Sequence, residues 1–211
     1  MTKEQEKEYL SLLGLLRRVT SETKSLVASD NNRLTFATGL GLKFFRHSAS
    51  IFYLSRGTII KDFAVGEVNC IDFGSINAVA RAVFEAFLTF HHVFAACQTD
   101  QVRYLRYWSW LLSGLCERQK APAPAPEYQE KLEIERKDIK ELHKKLGSNS
   151  EFIQLSKKQR ANIMKGRWRL CSWKEMTRDA GLDEFHASTM YAYLCGYAHS
   201  DSLSVSQINY A

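Results

Sequence analysis

Cysteine is scarce in this 211-residue chain, and what there is does not pair. The five residues are Cys70, Cys97, Cys116, Cys171 and Cys195, an odd number with no CxxC spacing. That argues against a disulfide framework or a zinc ribbon and leaves free thiols in the core as the expectation. Long apolar runs are missing as well. No uninterrupted stretch reaches the roughly 18 residues a membrane helix needs. The segment Met1 to Lys7 is polar and of mixed charge, with no apolar signal region behind it. The expectation is a cytoplasmic protein without membrane association. There is no Walker-type glycine loop, no GxGxxG, no GxSxG and no HExxH. The six histidines (His47, His91, His92, His143, His186, His199) show no metal-ligand spacing beyond one adjacent pair. Neither a cofactor nor a metal is expected.

What is present points to helices. The chain is 45% hydrophobic and 25% charged, enough for a substantial core and too apolar for wholesale disorder. Residues 3–28 carry a helical stripe of Leu10, Leu13, Leu16, Leu26 and Val27, followed by an Asp30-Asn31-Asn32 turn and cap signal. A second helix spans about 34–55, weakened in its middle by Gly39 and Gly41, where another helix could approach closely. Residues 58–73 read either as a short hairpin around Gly66 or as a long ordered loop. Ser75 is expected to cap a strongly apolar helix over 76–97, the centre of a bundle. Another helix follows from Asp100 to about Gln119.

All three prolines of the chain fall in Ala121-Pro122-Ala123-Pro124-Ala125-Pro126, a polyproline spacer. A charged helix over 127–146 comes next, its few apolar positions Leu132, Ile134, Ile139, Leu142 and Leu146. It is expected to lie outside or protrude as an insertion that could dock a partner protein. Short helix 173–180 and a last helix from Asp183 to about His199 complete the pattern. The expected architecture is all-α, one domain over 1–211, with four to five long helices plus short ones.

Three constellations carry possible chemistry. Arg81 and Glu85 share one face of the apolar central helix at i,i+4, so they are either a structural ion pair or part of a polar site. The last helix ends in Tyr191-Ala192-Tyr193-Leu194-Cys195-Gly196-Tyr197-Ala198-His199. Here His199 is either an acid/base group or a favourable charge at a helix C-terminus. Tyr193 and Tyr197, also i,i+4, are candidate substrate contacts. The third is a basic stretch. Between Gln154 and Arg178 eight bases face one acid, Glu175, an excess larger than the +6 of the whole chain. Lys157, Lys158, Arg160, Lys165, Arg167, Trp168 and Arg169 combine phosphate-binding charge with an aromatic on which an unpaired base can stack. The bland alternative is a solvated helix face whose tryptophans point inward.

Two strings, Ser75-Ile76-Asn77-Ala78-Val79-Ala80-Arg81-Ala82-Val83-Phe84-Glu85 and Tyr193-Leu194-Cys195-Gly196-Tyr197-Ala198-His199-Ser200, resemble an uncharacterised bacterial helical family allied to the HEPN superfamily. The resemblance implies a HEPN-like bundle, often dimeric, and a metal-independent ribonuclease of the kind found in toxin and defence systems. It also implies roles: His199 as acid/base, Arg81 stabilising the scissile phosphate, Glu85 holding Arg81. The Arg-x(4–6)-His motif of active HEPN ribonucleases does not end at His199, because Ala192 to Leu194 contain no arginine. An arginine from another helix, Arg81, would have to serve. The expectation is therefore an RNA-binding or RNA-cleaving homodimer, with a non-catalytic interaction module as the alternative.

Overall fold

A computed structural model describes residues 2–26, 32–64, 66–199 and 202. The Asp30-Asn31-Asn32 signal and the last residues of the first helix lie outside the described residues, apart from the backbone of Asn32. The described chain is mostly helical, in the order α1 (Lys3–Leu26), α2 (Asn32–Leu54), β1 (Thr58–Asp62), β2 (Gly66–Cys70), α3 (Phe73–Phe90), a π-helical turn (His91–Ala95), α4 (Asp100–Arg118), α5 (Pro126–Gly147), α6 (Ser150–Gln154), α7 (Lys157–Met164), α8 (Trp173–Asp179) and α9 (Glu184–Ala198).

The hairpin alternative for 58–73 is the one observed. β1 and β2 pair antiparallel with Thr58 opposite Cys70 and Asp62 opposite Gly66. Gly57 and Gly66, at φ 86° and 80°, supply the backbone turns that a side chain would oppose. Ser75 is not the cap of α3. Asp72 takes that place, accepting the Ser75 amide at 3.0 Å, so the helix starts three residues earlier than expected. Hydrogen bonds from the Ser75 hydroxyl and then from its amide hold the Asp72 carboxyl below the usual carboxylate range.

Contacts group the chain into two compact units, residues 1–90 with 181–211, and residues 91–180. In the first, α1 packs on α2, α2 on α3, and α3 on α9. Tyr9 meets Phe52, and a Cβ at Gly41 would lie 3.1 Å from Thr20, so α1 and α2 run antiparallel with Gly41 admitting the close approach. The buried residues here include Phe52, Phe84, Leu88 and Leu194.

The second unit closes around Leu105, Leu112, Leu115, Leu142, Leu146, Phe152 and Ile163. Its π-helical turn has a cause: the Arg106 guanidinium donates to the carbonyls of both His92 and Ala96 at 3.0 Å, absorbing acceptors that a widened turn leaves open. Helix α5 packs on α4 through Leu142 and Leu146. Beside these leucines Glu135 turns in and pairs with Arg118 at 3.0 Å, while Ile134 is 53% exposed. Two capping boxes, Ser156 with Gln159 and Ser172 with Glu175, start α7 and α8. Between them Gly166 (φ 80°) is required, because a Cβ there would sit 2.8 Å from that of Cys116.

The run Phe73–Ala95 has the length and mean hydropathy, 1.2, of a membrane span. Only two charges, Arg81 and Glu85, interrupt it, and the core helix of a folded protein has the same length and composition.

Candidate functional site

Arg81 and Glu85 stand one turn apart on α3, and α9 lies alongside. The Arg81 Nε donates to Glu85 Oε1 at 3.0 Å. The Tyr191 hydroxyl, from α9, donates to the same oxygen at 2.8 Å. Arg81 Nη1 lies 3.5 Å from Nε2 of His199, the residue that caps the C-terminus of α9. A guanidinium only donates, so a hydrogen bond here requires the His199 tautomer that leaves Nε2 as the acceptor. The aromatic ring of Tyr191 stands 5.8 Å from the Arg81 guanidinium and 5.8 Å from the Phe84 ring, which fixes it from two sides.

The electrostatics follow from this geometry. Hydrogen bonding to Glu85 holds the Arg81 guanidinium above its ordinary pKa. Burial, then the bond to Glu85, raises the Tyr191 phenol, so it is a hydrogen-bond donor at any physiological pH. The cluster is only partly covered: the side chains of Arg81 and Glu85 are 24% and 33% exposed, and His199 is exposed. A solute can therefore reach the Arg81–His199 edge.

Arg81, Glu85 and His199 are brought together by α3 and α9. Tyr193 and Tyr197 are not part of that meeting. Their hydroxyls pair with each other at 3.3 Å. Two residues along an α-helix turn about 200°, so both face away from the side that carries Tyr191, Cys195 and His199. Tyr191 is the functional candidate that the sequence reading missed. The signal was available: Tyr191, Cys195 and His199 recur every four residues and so share a face.

The basic stretch lies wholly in the second unit. Lys157 and Lys158 occupy the first turn of α7, where two cations oppose the helix dipole and an anion would relieve them. Lys165, Arg167 and Arg169 are exposed, and Arg160 is half-buried. The Arg169 guanidinium stacks 4.3 Å from the Trp173 ring, and Trp168 is half-buried 6.1 Å from the ring of His92. Trp168 is thus partly a packing residue. His92 is buried, and burial together with the nearby Arg106 pushes its pKa down to about 4. Among the described residues no three metal-ligating side chains converge.

Residues 38–209 match a family described as being of unknown function, DUF5677. The chain belongs to DUF5677. The matched residues include both helices of the cluster, α3 and α9, and exclude α1. No curated protein and no solved structure matches the chain.

Proposed function

We propose that this DUF5677 protein is a HEPN-like RNA-binding protein that cleaves RNA without a metal, as a toxin or defence component would. The observation that carries the reading is the approach of Arg81 to His199, 3.5 Å apart at a solvent-reachable edge. A cation that only donates and an imidazole that accepts are the two groups a phosphodiester transfer needs. As a base, His199 Nε2 takes the proton of a ribose 2′-hydroxyl as that oxygen attacks the neighbouring phosphorus, the bond from phosphorus to the 5′ oxygen breaks, and the departing oxygen takes a proton from water. As an acid, the imidazolium instead gives its proton to that departing oxygen while water takes the proton of the 2′-hydroxyl. Arg81 turns to the phosphate oxygens as charge builds on them. Glu85 and Tyr191 keep Arg81 in place. Lys157, Lys158, Arg160, Lys165, Arg167, Arg169 and Trp168 add salt-dependent attraction for the RNA backbone and a surface for an unpaired base.

The test is cleavage of a labelled single-stranded RNA in the presence of EDTA. The parent chain should cut it, and His199→Ala should reduce the rate at least about 100-fold, the lower range for a general acid/base. The melting temperature of that variant should stay within a few degrees of the parent. Charge reversal at Lys157, Lys158, Arg167 and Arg169 should remove most binding at low salt. A parent that never cuts, or a His199→Ala variant that cuts as well as the parent, overturns catalysis.

One observation favours a second reading, a non-catalytic interaction module. Glu85 Oε1 already accepts from both Arg81 and Tyr191, which is how a purely structural cluster is satisfied. Tyr128 and Ile134, 57% and 53% exposed on α5, would then be where a partner protein docks. In that case no RNA is cut. Arg81→Ala would destabilise the fold by about 1–2 kcal/mol, between the values for exposed and buried pairs.

A further inference from the structure

Helix α1 is the least covered element of its unit. Only Thr20 is buried among its described side chains, whereas Leu12, Leu15 and Val19 remain 58%, 51% and 51% exposed. In its N-terminal half Tyr9 holds it to α2. The Tyr9 ring stacks on Phe52 at 5.7 Å, and its hydroxyl donates to the Ser48 carbonyl at 2.9 Å. Beside that seam runs a groove of about 430 Å³, lined almost entirely by apolar side chains, Leu12, Leu16, Val19 and Phe44 among them. A ridge and groove of this kind in water favour a partner.

The spacing along the ridge selects the partner. Glu8, Leu12, Leu15 and Val19 recur at intervals of four, three and four, the seam of a paired helix. We propose that a second copy of this chain covers the face, with α1 lying antiparallel to α1 across a two-fold axis. In the register that sets Leu12 of one copy opposite Leu15 of the other, Glu8 falls opposite Val19 and beside Arg18. The two-fold axis makes that contact twice. Charge complementarity supports this register, because Glu8, Arg17 and Arg18 form no ion pair within their own chain among the described residues. A helix of 24 residues is about 36 Å long. A strip that long and about 10 Å wide falls short of the roughly 800 Å² per partner of a standard interface, so the flank of α2 around Phe44 completes it. The inference does not depend on the RNA reading.

The experiment is sedimentation equilibrium on the full chain at low salt. The parent should be a dimer at about 10 µM, a usual working range for specific interfaces. Leu15→Glu should be monomeric with its helical circular dichroism intact. Should Leu15→Glu lose helicity, the exposed charges decide. Glu8→Arg and Arg18→Glu should each weaken the dimer about tenfold, and the double variant should recover most of that loss. A parent that stays monomeric overturns the proposal, as does a helical Leu15→Glu variant that stays dimeric. So does a double variant no better than either single one. Binding of a monomeric parent to anionic vesicles through α1 would name a membrane surface as the occupant instead.

Discussion

The two compact units of this chain handle apolar surface differently. In residues 91–180 the long helices α4 and α5 turn their leucines onto one continuous cluster, with Leu112, Leu146 and Ile163 at 0% exposure. In the other unit Leu88 is as well buried, but α1, the hairpin and α9 keep large apolar groups in water. Of the large apolar side chains left exposed among the described residues, sixteen fall in that unit and five in the second. Burying apolar area is what stabilises a fold, and leaving it exposed is what prepares a surface for contact. The unit that holds the Arg81–Glu85–Tyr191–His199 cluster is therefore the one that leaves more apolar surface open to contact.

The largest effect that sharpens this comparison comes from the tight core. Leu146→Ala removes a fully buried side chain that touches both α4 and the helices after α5, and should cost about 3–5 kcal/mol. Leu12→Ala, on the exposed ridge of α1, should cost under about 0.5 kcal/mol in a dilute monomer. Urea unfolding read by tryptophan fluorescence and circular dichroism measures both. Equal costs at the two positions would erase the distinction between the units.

The next effect is smaller and depends on pH. His92 is buried with its pKa lowered to about 4, against 6.5 in an unfolded chain. The unfolded state takes up the proton first, so stability falls as pH drops from about 6.5 toward about 4 and levels off below that. The difference corresponds to about 3 kcal/mol at most. His92→Gln should flatten the melting temperature across that window. A parent whose melting temperature is level between pH 6.5 and 4.5 would show that His92 is solvated rather than packed.

How far the sequence revealed all this can be argued from particular residues. Helix α4 was legible because Leu105, Trp108, Leu111, Leu112 and Leu115 recur at helical spacing between Asp100 and Gln119. The convergence of α3 and α9 was legible for an energetic reason: Arg81 and Glu85 could not sit in so apolar a helix without polar company. Other features were set by distant residues. The π-helical turn at His91–Ala95 depends on Arg106, which nothing near His91 announces. The inward turn of Glu135, at the expense of Ile134, depends on Arg118 from another helix. The boundary between the units falls at residues 90 and 91, inside the most apolar helix, where no linker composition marks it. Tyr191 was passed over because Tyr193 and Tyr197 form the more visible i,i+4 pair. The face of α9 that meets α3 is set by packing, not by aromatic density.

Tyr191→Phe is the smallest of these effects and the most specific. It removes one hydroxyl, keeps the ring between Phe84 and the Arg81 guanidinium, and leaves Glu85 with Arg81 as its partner. Because Glu85 is 33% exposed, water can take the place of the lost donor. The cost in stability should be about 0.5–1.5 kcal/mol, that of a single hydrogen bond to a carboxylate partly open to solvent. The functional consequence is larger than the stability change if the cluster works as proposed. With Tyr191 gone, Glu85 holds Arg81 from one side only, and the 3.5 Å approach to His199 loosens. RNA cleavage should then fall about tenfold or more, as small misplacements at a reacting centre do, while binding through the basic stretch stays unchanged. The chemical shifts of the His199 ring should move in the same variant, whether or not RNA is present. A variant that loses 3 kcal/mol or more would mark Tyr191 as a structural keystone. One that leaves the His199 resonances where they were would uncouple Tyr191 from the site altogether.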